Sequence, residues 1–305
     1  MNTLSSPAQT TDEGMADSLS RIGLRWNSRG YATLSGPLLA LARECDQAFL
    51  AIAARWAAEP EHHPVLMPAM DLSPVDYFLS FPHLVTFAAP LNPAAHHLRT
   101  FTAAARQDPQ AALHHAQLTT PGDVLTPAAC YHVYVHHRDR ELPAPLKVTT
   151  RNTCFRHEEH FAPLRRQWSF QMREIVCVGS REEVSDFLSE TRTMVDKLIA
   201  RLGLPVEWNA ATDPFFDPTA NPRYLAQKLH PTKHEACYQD LAIASVNMHE
   251  DHFGDAYGIS RDGRPATSGC VAFGIERWLC ALIDRWGTDP GNWPSTFTAV
   301  GREVS

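Results

Sequence analysis

The sequence predicts an α+β fold in which an antiparallel β-sheet is flanked by helices. Long segments with apolar residues at helical spacing run from Gly36 to Ala57 and from Ser180 to Leu202. Between them, the segment that ends near Phe155 and the segment from Trp168 to Glu174 are predicted to form two antiparallel strands joined by a loop.

The two long segments carry helix signals at their ends. Pro37 stands at the start of the first segment, where its missing N–H costs nothing. The second segment begins with Glu182 and Glu183 and ends near Arg201, as the helix dipole favours.

Shorter elements complete the prediction. Residues 64–68, the alternating run Tyr131–Val135 and residues 240–251 are predicted strands. Residues 77–84 are predicted to form a turn and a short apolar element, and residues 91–121 a helix and a loop.

The strand pair offers a nucleotide site. Arg156 can face the α-phosphate of ATP, and Glu158, two residues later on the same face, can meet the adenine edge. On the returning strand, Phe170 can stack on the base, and Glu174 shares its face. Arg277 opens a helix and can hold the γ-phosphate with its planar guanidinium.

In order and separation, these motifs resemble the catalytic domain of class II aminoacyl-tRNA synthetases. The resemblance covers about residues 37–286 and is strongest to seryl-tRNA synthetase. It implies a class II synthetase-like sheet and places the helix from Gly36 at a homodimer interface, although a core helix has the same sequence pattern. In that family a segment similar to Leu125–Cys130 ends in a glutamate that helps bind the substrate's amine, whereas this chain has Cys130 there.

Cysteine at this position predicts a metal site. Cys130, Glu174 and Cys270 would project into one pocket and would leave a fourth position of a zinc ion open, as in catalytic zinc sites. The open position could bind the substrate's amino group. The alternative is that Cys130 and Cys270 are small buried apolar residues, which is our interpretation of the other five cysteines.

Zinc at this position is a property of two related groups: the seryl-tRNA synthetases of methanogens and the amino acid:carrier protein ligases. The 305 residues leave no room for a tRNA-reading domain, and the net charge of −7 does not favour tRNA binding. The chain therefore resembles the amino acid:carrier protein ligases. We expect residues 1–20 to be a disordered tail and residues 21–305 to be a single catalytic domain.

The resemblance extends to further site residues. It places Arg166, Lys228, Ala242 and Ser245 at the nucleotide, and Asn247, with Arg156 and Glu174, at the amino acid. Ala242 replaces a glutamate that helps hold Mg²⁺ and ATP in the relatives, so Glu235 or Lys228 would have to compensate.

Sixteen histidines raise the question of a second metal site. The adjacent pairs, such as His136 and His137, are predicted not to be ligands, because neighbours on a regular helix or strand diverge. His249 lies in the substrate strand and is predicted to be a hydrogen-bonded pocket residue rather than a fourth zinc ligand.

The composition is that of a globular chain, with 44% hydrophobic and 20% charged residues. No apolar run is long enough to span a membrane, and the first residues lack a signal-peptide pattern. The seven cysteines show no paired spacing, which favours a reducing compartment. We expect a cytoplasmic protein.

The implied reaction consumes ATP with Mg²⁺ to activate a small amino acid, glycine or alanine, as an aminoacyl-adenylate. The aminoacyl group would then pass to the phosphopantetheine thiol of a small carrier protein, with no tRNA involved. A basic and apolar segment that contains Arg223, Lys228 and Lys233 is the predicted docking surface for an acidic carrier. Two alternatives stay open: a seryl-tRNA synthetase-like enzyme acting on tRNA, and an inactive regulatory paralogue.

Overall fold

The computed structural model describes residues 17–219 and 221–294. The strands, in chain order, are β1 (Leu24–Asn27), β2 (Tyr31–Leu34), β3 (Glu59–Glu61), β4 (Leu66–Pro68), β5 (Phe87–Ala88), β6 (Asp123–Leu125), β7 (Glu141–Leu142), β8 (Leu146–Phe155), β9 (Ser169–Gly179), β10 (Val206–Ala211), β11 (Lys233–Tyr238), β12 (Leu241–Glu250), β13 (Ser260–Arg261), β14 (Arg264–Pro265) and β15 (Thr267–Gly274). The α-helices are α1 (Gly36–Arg55), α2 (Tyr77–Ser80), α3 (Ala95–Gln107), α4 (Pro109–His114), α5 (Tyr131–His136), α6 (Arg181–Arg201), α7 (Pro222–Leu229), α8 (His252–Tyr257) and α9 (Ile275–Trp286).

Seven strands form the central sheet in the order β10-β11-β12-β15-β9-β8-β3. Every neighbouring pair is antiparallel except β3 and β8, which run parallel at one edge. The predicted α+β class with an antiparallel sheet and flanking helices is therefore confirmed. Three small sheets, β1-β2, β4-β6-β5 and β14-β13-β7, lie outside it.

The two faces of the central sheet are covered differently. One face packs against α1, α6 and α9, and its core includes Phe49, Phe187, Phe273 and Trp278. The other face packs against α5 and α8 and carries a second, smaller core. The cavity described below opens on this second face.

The two predicted long helices are confirmed as α1 and α6. In α6 the Ser180 hydroxyl accepts a hydrogen bond from the Glu183 N–H at 3.2 Å, and the Glu183 carboxylate accepts one from the Ser180 N–H at 2.7 Å. This capping box fixes where the helix begins. In α1, buried Asp46 forms ion pairs with Arg151 and Arg173, which join the helix to the sheet.

The predicted strand Tyr131–Val135 is wrong, because these residues belong to helix α5. Three consecutive side chains, His132, Val133 and Tyr134, are buried, which a strand with one solvent face does not allow. The ring of Tyr134 stacks on Phe253 of α8 with a centroid distance of 4.0 Å. Packing against α8 thus favours the helix over the strand.

The predicted tail is also partly wrong. Residues 1–16 lie outside the described part of the chain, as do residues 295–305, but residues 17–21 are helical. Leu19 and Ile22 are buried in the larger core. Among the described residues, no helix combines the length and apolar character that crossing a bilayer requires.

Candidate active site and metal centre

Strand register brings the predicted site residues to one face of the sheet. Ser245 of β12 pairs with Ala272 of β15, which pairs with Glu174 of β9. In the adjacent row, Asn247 pairs with Cys270. Because side chains two residues apart on a strand share a face, both rows point to the same side.

A cavity of about 570 Å³ opens above these rows. The predicted nucleotide residues that line it are Arg156, Glu158, Phe170, Ala242, Ser245 and Arg277. The predicted metal and substrate residues Cys130, Glu174, Asn247 and Cys270 line it as well. The structure therefore gathers residues from five separate segments of the chain into one site.

The three predicted metal ligands form a tight buried cluster. The Sγ atoms of Cys130 and Cys270 and a carboxylate oxygen of Glu174 lie within 4.8 Å of one another. Cys130 is the N-cap of α5. Glu174 accepts hydrogen bonds from the backbone N–H groups of Ala129 at 2.9 Å and Cys130 at 3.2 Å, which hold the loop against the strand.

Two polar side chains surround Cys270. The Asn247 amide donates to the Cys270 sulfur at 3.3 Å and to the Ser245 hydroxyl at 3.0 Å. His249 lies 3.7 Å from the same sulfur through Nε2, and its Nδ1 is 3.1 Å from the Tyr134 hydroxyl. Burial lowers the pKa of His249 to about 4, so the ring is neutral at pH 7. Its hydrogen bond to Tyr134 agrees with the prediction of a pocket histidine.

The electrostatics of the cluster favour a cation. A hydrogen bond to Cys270, burial and the nearby Glu174 charge all raise the pKa of Cys130 well above the usual thiol value. The hydrogen bond with Cys130 lowers the pKa of Cys270, but burial and the Glu174 charge raise it by more, so the pKa of Cys270 is also above the usual thiol value. Two buried thiols beside a carboxylate stay protonated by themselves, whereas a divalent ion would favour the thiolates. A Cys₂Glu donor set of this kind fits zinc.

Arg156 lines the cavity from the loop that follows β8. Strand β8 ends at Phe155, so Arg156 and Glu158 lie in the following loop rather than on the strand as predicted. The Arg156 Nε donates to the Pro127 carbonyl at 2.9 Å, and its guanidinium lies 5.5 Å from the Phe170 ring centre. The arginine is thus fixed at one end and stacked near the predicted base platform.

Arg277 also lines the cavity and is held by backbone carbonyls. It is the third residue of α9 and donates to the carbonyls of Arg165 at 3.0 Å and Ala242 at 3.1 Å. Burial and the Arg156 charge lower its pKa. Two half-buried arginines in one cavity repel each other, which favours binding of an anionic ligand there.

Arg166 does not line the cavity but forms an ion pair with Glu158. Through this ion pair it can orient the predicted adenine-side carboxylate. Phe170 and Glu174 both lie on β9 and face the cavity, as the spacing predicted.

The structure corrects two predictions about basic residues. Lys228 is exposed on α7 and is not among the cavity-lining residues, which does not support the predicted contact with ATP. Lys233 was predicted at a docking surface, but α7 ends at Leu229 and Lys233 begins β11, with its side chain only 15% exposed inside the cavity. Arg223 lines the cavity and donates hydrogen bonds to Asp76 and His252. The predicted docking residues Arg223, Lys228 and Lys233 therefore do not share one outer face.

The sequence did not predict an ion-paired cluster in the cavity, in which Asp213 joins Lys233 and Glu235. The Lys233 Nζ lies 3.0 Å from Asp213 and 3.2 Å from Glu235. Burial by itself would raise the pKa of Asp213, but the Lys233 charge and a hydrogen bond from Gln227 hold it below its usual value. The alternation of Lys233 and Glu235 ahead of an apolar strand was the available sequence signal.

Comparison with known proteins connects this geometry to a family. Residues 124–286, more than half of the chain, match the family model of the tRNA synthetase class II core domain (G, H, P, S and T). Amino acid–acyl-carrier-protein ligase 1 of Bradyrhizobium diazoefficiens is 35% identical over 76% of this chain and 73% of its own length. This chain belongs to the amino acid–acyl-carrier-protein ligase family. A second ligase of the same organism is 34% identical over 76% of this chain and 71% of its own length.

The ligase family shares its core with synthetases. The type-2 serine–tRNA ligase of Methanococcus aeolicus is 27% identical over 58% of this chain, which spans only 37% of that protein. Among solved structures, M. kandleri SerRS in complex with A. aeolicus tRNASec superposes with a TM-score of 0.77 at 21% identity, covering 92% of this chain and 58% of that one. This likeness confirms the class II synthetase fold.

Proposed function

We propose that this protein activates a small amino acid with ATP and transfers the aminoacyl group to the phosphopantetheine thiol of a carrier protein. The observation that carries the proposal is the convergence of a buried Cys₂Glu cluster and two half-buried arginines in one cavity. The cluster suits an amine ligand, and the arginines suit phosphates. Membership in the ligase family agrees with this assignment.

ATP binds between Arg156 and Arg277 in this proposal. Phe170 stacks on the adenine, Glu158 accepts from its exocyclic amine, and Arg166 keeps that carboxylate in place through their ion pair. Ser245 contacts the nucleotide from β12. Glu235 faces the cavity in the same row as Ser245 and is our candidate for the Mg²⁺ ligand that Ala242 cannot supply.

Cys130, Glu174 and Cys270 hold Zn²⁺, which when bound supplies an electrophilic centre for the free amine of the substrate. Asn247 donates to the Cys270 sulfur and thereby orients that ligand. Glu174 is in turn fixed by the two backbone N–H groups that it accepts. Ligands without a free amine would be bound poorly, which gives selectivity for amino acids.

The chemistry requires no protein nucleophile. The amino acid carboxylate attacks the α-phosphorus of ATP, the bond to the β-phosphate oxygen breaks, and pyrophosphate leaves. Arg156 stabilises the charge at the α-phosphate and Arg277 that of the leaving pyrophosphate, and Mg²⁺ bound with ATP would supply further positive charge. The carrier's sulfur then attacks the carbonyl carbon of the adenylate, so that a thioester forms and AMP leaves.

The shape of the cavity supports a small substrate, with glycine or alanine as our candidates. Tyr131, Met248 and Phe253 line the cavity, and the rings of Tyr131 and Phe253 are in contact at a centroid distance of 5.7 Å. These bulky side chains reduce the room for a large amino acid side chain.

Carrier docking is proposed at the outer face of α7, revised to the residues that the structure exposes there. Leu225 and Leu229 are 56% and 66% exposed, and Lys228 lies between them. Other residues of α7 line the cavity, so a carrier bound here would be close to its mouth.

The proposal also includes a homodimer formed through α1. It includes a cytoplasmic location as well, which the free cysteines support.

The test is ATP/pyrophosphate exchange with each of the common amino acids, before and after treatment with a zinc chelator. We expect exchange with glycine or alanine that is lost on chelation and restored by added zinc. Absence of exchange with every amino acid would refute adenylation and support the inactive regulatory paralogue. Exchange that persists after zinc has been shown to be removed would refute the role of the Cys₂Glu cluster.

A further inference from the structure

A second cluster of metal-ligating side chains lies at the edge of the same sheet, outside the cavity. Glu61 is the last residue of β3 and pairs with Thr150 of β8, which pairs with Glu174 of β9. Glu61 and Glu174 therefore point to the same face and are separated by two strand spacings, about 10 Å. Near Glu61 lie the end of α5 and the following residue His137.

The cluster is compact and brings several imidazoles to one carboxylate. Ligand atoms of Glu61, His136 and His137 lie within 4.8 Å of one another, and His137 Nε2 is 2.7 Å from Glu61 Oε1. His63 Nε2 lies 2.9 Å from Glu61 Oε2, so each oxygen of the carboxylate faces an imidazole. The side chains of Glu61 and His63 are 14% and 10% exposed. Two imidazoles thus contact one largely buried carboxylate, and a third, that of His136, has a ring nitrogen within 4.8 Å of ligand atoms of Glu61 and His137.

We propose that Glu61, His136 and His137 bind a second divalent transition-metal ion of the zinc type. Two imidazoles and a carboxylate are a donor set that suits zinc, and water would take the fourth position on the exposed side of His136. Two ligands of a tetrahedral zinc lie about 3.3 Å apart, so the bond between His137 and Glu61 would lengthen by only about 0.6 Å. His63 then orients the carboxylate through its second oxygen.

Arg140 competes with the ion. Its Nη1 lies 3.1 Å from His137 Nδ1, which must accept in that arrangement and leaves the ring proton on Nε2. Metal binding at Nε2 moves the proton to Nδ1, which can no longer accept from the guanidinium. Arg140 is exposed and can turn to solvent. Its removal is therefore expected to strengthen metal binding, an effect that a purely structural histidine–glutamate pair does not predict.

The second ion would support the first site. Cys130 is the N-cap of α5, and His136 and His137 lie at the other end of this short helix. An ion bound to Glu61 joins that end of α5 to the sheet edge and restrains the position of Cys130. We therefore expect loss of the second ion to weaken zinc retention by Cys130, Glu174 and Cys270.

The test is Co²⁺ titration and metal analysis of the full chain and of four variants. Thiolate ligands give Co²⁺ a sulfur-to-metal charge-transfer band, so the Cys₂Glu site is observed separately from a site of nitrogen and oxygen donors. We expect two ions per chain in the wild type. Glu61→Gln and His137→Gln should weaken the second ion by more than about tenfold, Arg140→Ala should bind it more tightly, and the exposed neighbour His62→Gln should leave it unchanged.

A wild-type chain that binds only one ion, or a second ion unaffected by both Glu61→Gln and His137→Gln, would overturn the proposal. Weaker second-site binding in Arg140→Ala would also contradict it, and this exposed substitution gives a result even if a Glu61 variant fails to fold. Because metal binding is measured without amino acid activation, a negative result for the second ion is distinguishable from failure of the proposed function.

Discussion

Glu276 provides a quantitative test of how the active site is held together. This buried carboxylate, the second residue of α9, accepts hydrogen bonds from the Gln171 N–H at 2.9 and 3.1 Å. The contact joins α9, which carries Arg277, to the start of β9, which carries Phe170. Burial raises the pKa of Glu276 from 4.5 to about 7.

The sign of the stability effect follows from this shift. Because the pKa is higher in the folded state, the folded protein holds the proton more tightly than the unfolded chain does. The resulting stabilisation is complete below about pH 4.5 and is lost as the pH rises through about 7. The difference between the two pKa values corresponds to about 3 kcal/mol in the free energy of unfolding.

Glu276→Gln removes the titration but keeps an oxygen that can accept from Gln171. We expect the variant to lose this fall in the free energy of unfolding and to be more stable than the wild type by up to about 3 kcal/mol at about pH 8. Urea unfolding at several pH values between about 5 and about 8 measures the difference. Glu182→Gln, a change at an exposed glutamate, is the control and should follow the wild type. Parallel curves for the wild type and Glu276→Gln would refute the reasoning.

Three further predictions concern the cavity. Cys130→Ser and Cys270→Ser should each lose bound zinc and exchange activity, whereas Cys154→Ser, at a buried cysteine outside the cluster, should keep both. Zinc content is measured by metal analysis, and equal zinc loss in all three variants would refute the ligand assignment. Arg277→Lys should lower the exchange rate by about a hundredfold because the planar fork is lost, while zinc content stays constant; an unchanged rate would remove Arg277 from the phosphate site. Lys228→Ala should leave the KM for ATP unchanged, because this lysine is exposed outside the cavity, and a raised KM would contradict its position.

The sequence was sufficient for the parts of the site that depend on regular periodicity. Phe170 and Glu174 share a face of β9 because their spacing of four matches the repeat of a strand. Arg277 opens α9, as its place before an apolar helical segment indicated. The convergence of Cys130, Glu174 and Cys270 followed from the family resemblance, since no local pattern joins three distant segments.

The sequence failed where tertiary contacts override local pattern. Five alternating residues of α5 fit a strand and a short helix equally well, and packing of Tyr134 on Phe253 decides between them. His136 and His137 were expected to diverge, but His137 caps the helix and has left its regular geometry, so both reach Glu61. Lys233 was grouped with Arg223 and Lys228 on one surface, although Pro231, two residues after α7 ends at Leu229, is a helix stop signal that separates Lys233 from the helix.

The central claim is aminoacyl transfer to a carrier protein, and its most direct test is thioester formation. Radiolabelled glycine or alanine is supplied with ATP, the protein and a carrier that bears the phosphopantetheine arm, and label bound to the carrier is measured before and after hydroxylamine treatment. The account predicts labelling that depends on ATP, is removed by hydroxylamine and is absent from the carrier without the arm. Labelling of tRNA in place of the carrier, or equal labelling of the carrier with and without the arm, would contradict it.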